Sequence, residues 1–182
     1  MTGFLKEFEV SLIADDTDLN RKKWARKFVS EKTDLRSLLY LLDAEKKLAT
    51  RFIWLIGDIC ESNPPMLRPF IKDFFKHRNT TQISNYNRSL AKMFMYCGIP
   101  KEIEGEVTTV LFDWLIDPNV LVTTKNYSML ALFNLTIKYP ELKSELESAI
   151  KDQLNKNTIS FKKNATQLLN KLNKTNIKGK DA

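Results

Sequence analysis

The chain has 182 residues, 43% of them apolar, with 29 Lys and Arg against 22 Asp and Glu and a formal net charge of +7. That length supports one domain with a real core and excludes two large ones, and the composition is globular rather than disordered. No apolar run approaches the ~20 residues that a membrane span needs. Acids interrupt the first apolar stretch, residues 3–10, so no signal for export is expected, and the two cysteines, Cys60 and Cys97, fit a reducing, cytoplasmic setting. The charge is uneven. Residues 154–182 hold seven lysines against the single acid Asp181, so almost all of the net positive charge lies there.

Strand signals are nearly absent and helical periodicity runs through most of the chain. A first helix is predicted from Phe4 to about Ile13, with Phe4, Leu5, Phe8 and Leu12 on one side. The run Asp15-Asp16-Thr17-Asp18 breaks it and supplies an N-cap for the next helix. That second helix, Leu19 to about Glu31, sets Trp24 and Phe28 on one face and Arg21, Lys22, Lys23, Arg26 and Lys27 on the other. Thr33 or Asp34 caps a third helix carrying Leu35, Leu38, Leu39 and Leu42.

From Ala44 onward helices are expected in pairs: about 45–62 with 66–77, about 83–98 with 102–116, and about 124–138 with 141–155, then a last helix over roughly 158–173. Prolines mark the seams at Pro64-Pro65, Pro100, Pro118 and Pro140, where a missing amide costs little, and Pro69 is placed in the first turn of its helix. An apolar pattern recurs at intervals of about 37 to 40 residues, beginning near Leu48, Arg88, Ser128 and Ala165. A period of that size, with two helices and a proline between them, is the signature of a HEAT- or armadillo-type solenoid. The expected fold is therefore all-α, a right-handed α-α superhelix of about four helix pairs in one domain over 1–173. Residues 1–43 form its N-terminal cap, 44–155 three repeats, 156–173 a C-terminal capping helix, and 174–182 a basic flexible tail.

The chemistry-bearing residues are sparse. His77 is the only histidine, at the end of a helix, where a cation interacts well with the macrodipole. Without a second histidine, neither a Ser-His-Asp arrangement nor a His-based zinc site is supported. Cys60 and Cys97, 37 residues apart near the ends of equivalent helices, read as small buried hydrophobes. No phosphate-cradling GxxxxGK[ST] or GxGxxG occurs. No catalytic residue, metal site or cofactor is expected.

The one distributed constellation lies at the starts of equivalent helices: Lys46, Lys47 and Arg51, then Asn85, Arg88 and Lys92, then Lys125 and Asn126, then Lys162 and Lys163. Repeats stacked in register would align these positions as a ladder on one surface. Such a ladder suits an acidic peptide or a phosphate backbone if the surface is concave; otherwise it is a set of solvated helix faces. Tyr86 and Tyr127 are the only aromatic residues placed to stack on bases there, and both also suit a core.

Two resemblances follow. Asp113 beside Trp114 resembles the acidic and aromatic residues of HEAT-like DNA glycosylases of the alkylation-repair class, although Asp113 also suits the exposed face of its helix and no flanking arginine pattern accompanies it. Arg51-Phe52-Ile53-Trp54, then 63–70 (NPPMLRPF), Asn126-Tyr127-Ser128-Met129, Tyr139-Pro140-Glu141-Leu142 and Phe161-Lys162-Lys163-Asn164-Ala165 are similar to a family of short bacterial HEAT-like proteins. Members of that family are often catalogued as adenylosuccinate lyases. The resemblance implies a fold and not that reaction, because the chain lacks the lyase's SSxMPxKxN-like loop and has only His77. The sequence thus predicts a non-enzymatic scaffold that binds a protein, with nucleic acid as the alternative partner, an enzyme as the remote one, and no membrane association.

Overall fold

The computed structural model describes residues 2–177, with side chains over 3–174. Within that span the chain is all-α, with ten α-helices, three 3-10 helices and no strand among the described residues. It divides into two compact units, residues 1–97 and 98–182.

The first unit begins with α1 (Thr2–Ala14) and α2 (Asp18–Ser30). Thr17 is the N-cap of α2, its hydroxyl accepting from the Asn20 amide at 3.2 Å. Asn20 closes the turn: its side-chain amide donates to the carbonyls of Ser11 and Asp15 at 3.1 and 2.9 Å. Phe8 and Leu12 of α1 are buried as expected, and Phe4 and Phe8 meet Trp24 and Phe28 edge-on, with ring centroids 4.7–5.7 Å apart. Edge-to-face geometry aligns the positive ring edges with the negative faces and adds about 0.5–1.5 kcal/mol per pair beyond area burial. Lys27, expected on the opposite face, instead lays its ammonium over Phe4 and Trp24 at 4.6 and 4.7 Å.

The third helix differs from the sequence reading. Leu35–Asp43 is a 3-10 helix capped by Asp34, and its buried residues are Leu35, Leu38, Leu41 and Leu42 rather than Leu39. Three residues per turn bring positions 35, 38 and 41 into line, which a 3.6-residue turn would not. The next helix, α3 (Lys46–Ser62), packs against α1, α2, the 3-10 helix, α4 (Pro64–Leu67) and α6 (Tyr86–Cys97).

The partner of α3, expected as one helix over 66–77, is broken. It runs as α4, a 3-10 turn over Arg68–Phe70, and α5 (Ile71–His77). Pro64 occupies the helix start, so Pro69 falls beyond the first turn, where its ring excludes an α-helical hydrogen bond. Together α2, α3 and α6 form one row of adjacent helices, with α4 and α5 packed behind α6.

The second unit holds α7 (Glu104–Ile116), α8 (Val122–Lys138), α9 (Leu142–Gln153) and α10 (Ile159–Ile177). Helix α8 lies against α7, α9 and α10, and α7 also contacts α9. Phe161, Ala165, Leu168 and Leu172 bury one stripe of α10. That helix continues to Ile177, past the expected start of the tail at 174; from residue 178 the expected tail lies outside the described residues.

Two features of the first unit yield tests. The end of α2 is a Schellman turn, with Thr33 N–H bonding Phe28 O at 3.0 Å and Lys32 N–H bonding Val29 O at 3.3 Å. Lys32 occupies its left-handed position at φ 50°, which a side chain disfavours. Lys32→Gly is expected to stabilise the fold by about 0.5–1 kcal/mol, read as a higher urea midpoint with an unchanged slope.

Tyr86 is buried and its hydroxyl donates to Phe74 O at 2.9 Å. Burial, with Asp43 adding, pushes its phenol above the ordinary 10.0. The unfolded chain therefore loses this proton first. The stabilisation is complete below pH 10 and declines above it by about 1.4 kcal/mol per pH unit until the folded phenol ionises. Tyr86→Phe is expected to cost about 1 kcal/mol at neutral pH for the lost hydrogen bond. Paired denaturant titrations of the two proteins across pH 9–12 should show the gap between them closing above pH 10 and reversing by about pH 11, with Tyr86→Phe then the more stable.

Candidate functional site

The polar stripe of α3 is Lys47, Arg51, Trp54 and Asp58, spaced at i, i+4, i+7 and i+11, and the buried set is Phe52, Ile53, Leu55, Ile56 and Ile59. A tryptophan on the polar side of such a helix is the feature that leads to the site. Trp54 is 40% exposed. Beside it, α2 contributes Asp18 and Arg21, α3 adds Gly57 and Asp58, and α6 adds Arg88, Ser89 and Lys92, enclosing a cleft of about 300 Å³.

Charge inside the cleft is largely spoken for. The Arg21 Nε donates to Asp58 at 2.5 Å and its terminal nitrogen to Asp18 at 2.8 Å, with the guanidinium 6.0 Å from the Trp54 ring centre. Burial disfavours the Arg21 charge, but the two carboxylates outweigh it and hold the group above its ordinary pKa. Lys92 pairs with Glu61 at 2.7 Å, its side chain only 14% exposed. Gly57 keeps the wall of α3 low here, since a β-carbon at that position would touch Lys92 Nζ at 3.6 Å. Arg88 is exposed, and its guanidinium makes no hydrogen bond or ion pair among the described residues. Among the described residues, the cleft is therefore lined by one uncommitted cation, Arg88, and by a partly exposed indole, Trp54.

Of the ladder positions, the structure brings only Arg88 and Lys92 into this cleft. Lys46 and Lys47 are exposed on the first turn of α3, and Asn85 is exposed just before α6 in a left-handed conformation, φ 63°. Arg51 has a structural role instead. Its guanidinium donates to the carbonyls of Leu12 and Ile13, the latter at 2.8 Å, and to Asp16 at 2.9 Å. It thereby satisfies carbonyl groups left open at the end of α1.

In the second unit, Lys125 is 2% exposed, and its ammonium donates to Gln153 Oε1 at 3.0 Å. Burial lowers its pKa, with Asp117 and Asp152 opposing that effect. Such a lysine is not a surface contact: position 125 faces inward because Gln153, on α9, receives it there. Asn126 accepts from the Asn164 amide at 3.3 Å, and Lys162 and Lys163 are exposed on α10.

The remaining candidates separate as well. Asp113 is exposed and Trp114 is buried, so they do not share a pocket as the glycosylase resemblance requires. Tyr86 is a core residue. His77 ends α5, with its Nε2 3.7 Å from Asp43 and its ring 5.8 Å from that of Tyr86. The sequence reading did not assign Asp18, Arg21, Trp54 and Asp58 to a site because it followed the starts of equivalent repeat helices, whereas Asp18 and Arg21 lie on α2, before the first repeat, and Trp54 and Asp58 lie farther along α3.

Rows of short amphipathic helices, each burying its apolar stripe against the next, define an all-α helical-repeat protein of the solenoid class. The chain belongs to the HEAT repeat domain family, whose model matches residues 21–172. No curated protein and no solved structure matches it.

Arg51→Ala should cost about 1–3 kcal/mol of stability, because it strips the carbonyls of Leu12 and Ile13 of their donor. Arg51→Lys recovers only part of that loss, since a single ammonium cannot reproduce the guanidinium fork. Urea denaturation of the two variants beside the parent chain provides the measurement.

Proposed function

We propose that this chain is a cytoplasmic, non-enzymatic helical-repeat scaffold that binds another protein at the cleft between α2, α3 and α6. The supporting observation is that exposed Arg88 and partly exposed Trp54 line the same cleft. Tryptophan and arginine dominate the binding energy of protein interfaces, because each combines a large apolar surface with a directional polar group. A partner segment with an apolar anchor for the Trp54 ring and an Asp or Glu side chain for Arg88 matches this chemistry.

Pairing of the neighbouring cations supports a protein over a nucleic acid. Arg21, Arg51 and Lys92 each already face a carboxylate. A duplex-binding surface gains affinity by releasing counterions from many phosphates, which demands many uncommitted cations. No helix of the described residues is long and apolar enough to cross a membrane.

The test is fluorescence binding to a displayed library of acidic peptides carrying one apolar anchor, run beside labelled single- and double-stranded DNA and RNA at about 50 and 200 mM salt. Peptide binding should weaken about 30-fold in Arg88→Glu and in Trp54→Ala, the loss of one interface hot spot of about 2 kcal/mol. Arg88→Glu should leave the urea midpoint unchanged. Equal affinity in parent and Arg88→Glu removes this face from the function. Nucleic-acid binding that falls steeply with salt transfers the function to the nucleic-acid reading.

A further inference from the structure

Cys60 ends a turn of α3 and Cys97 is the last residue of α6. Because α3 and α6 are neighbours in one row, the two buried thiols meet, with Sγ atoms 3.4 Å apart. A second polar contact positions Cys60, whose Sγ lies 3.8 Å from the carbonyl oxygen of Lys92. Arg68 reaches the same place from the 3-10 turn behind, its Nε donating to Cys97 O at 3.0 Å, which fixes a positive charge beside Cys97. Two thiols and one guanidinium thus converge where two helix ends come together.

We propose that Cys60 and Cys97 form a redox site, a dithiol that hydrogen peroxide converts into an intramolecular disulfide linking α3 to α6. The two sulfurs have distinct parts. The Cys60 hydrogen bond pushes Cys97 below its ordinary value, and the charge of Arg68 helps, against burial. The same contact, followed by burial, pushes Cys60 up. Cys97 is therefore the sulfur that gives up its proton first and acts as the nucleophile, while Cys60 keeps its proton.

The steps balance. A lone pair of the Cys97 thiolate attacks one peroxide oxygen, the O–O bond breaks, and the leaving hydroxide takes a proton to become water. Cys97 is then a sulfenic acid. Cys60 sulfur displaces the sulfenic hydroxyl, which leaves as a second water with the Cys60 proton, and the S–S bond forms. Two thiols are oxidised by two electrons and the peroxide is reduced to two waters. Contraction of the sulfur separation from 3.4 Å to the ~2.05 Å of a disulfide needs only a small approach of the two side chains. Among the described residues no group of three or more His, Cys, Asp or Glu is placed to hold a metal ion.

The experiment treats the reduced full chain with equimolar hydrogen peroxide. The intact mass should fall by two hydrogens, alkylation in denaturant should drop from two thiols to none, and dithiothreitol should restore both. The result should not depend on protein concentration. In Cys60→Ser a dimedone adduct should accumulate on Cys97, because no resolving thiol remains. In Cys97→Ser the same dose should leave Cys60 unmodified. Two alkylatable thiols after treatment of the parent chain, disulfide-linked dimers in place of the internal bond, or a sulfenic acid on Cys60 in Cys97→Ser would each overturn the proposal. The parent chain decides the question alone if either serine variant fails to fold.

Discussion

Helix α3 carries apolar side chains around most of its circumference: Leu48, Ala49, Phe52, Ile53, Leu55, Ile56, Ile59 and Cys60 are all buried. A helix of that kind cannot lie on a surface; it must be covered on several sides at once. Helices α1, α2, α4 and α6 and the 3-10 helix over Leu35–Asp43 supply the cover. The order of the whole unit follows from this requirement. The aromatic cluster of α1 and α2 is one wall, the leucines of the 3-10 helix another, and α6 the third. Only the narrow stripe through Arg51, Trp54 and Asp58 is left for other work, and the cleft occupies part of it.

The charges along that stripe show how a fold uses basic residues before a partner can. Arg51 ends α1, Arg21 joins α2 to α3 through Asp58, and Lys92 joins α6 to α3 through Glu61. These pairs are partly shielded from water, where a guanidinium fork on a carboxylate is directional. They hold the neighbouring helices of the row in one relation to each other. Among the charges lining the cleft, Arg88 is the one left unspent, which makes that residue a better candidate for recognition than any count of lysines would suggest. Further along the chain, Lys162 and Lys163 are exposed on α10.

The architecture was readable because repeats announce themselves through spacing, and proline marks the seams physically. The 37-residue recurrence and the prolines at 64–65, 100 and 140 place the helix pairs within a few residues of where they stand. Local details were less legible. Leu35 to Asp43 has an apolar pattern that fits either helix type, and the helix it packs against, α3, is a separate segment of the sequence. Lys125 occupies a ladder position in the repeat, yet it turns inward because Gln153 lies on another helix, a relation that no single-segment pattern contains. The cysteines are the instructive middle case. Their separation equals the repeat period, so the information that they occupy matching sites was present; what the sequence reading lacked was the step from matching sites to touching atoms.

Gln153 gives the second unit a property that its leucines cannot. Its side chain receives Lys125 from α8 at 3.0 Å and Asn157 at 3.1 Å, and donates to Ile116 O at the end of α7 at 3.4 Å. Apolar surfaces are permissive: a leucine stripe slid by one turn finds other leucines. Hydrogen bonds are not, because a buried donor rotated away from its acceptor loses its partner and has no water in exchange. The amide at 153 therefore acts as an index mark among three helices, penalising every sliding or rotation except the one in which all three polar ends coincide. A stack of similar units, where neighbouring registers are nearly equal in apolar burial, needs such a mark more than a fold with a unique core does.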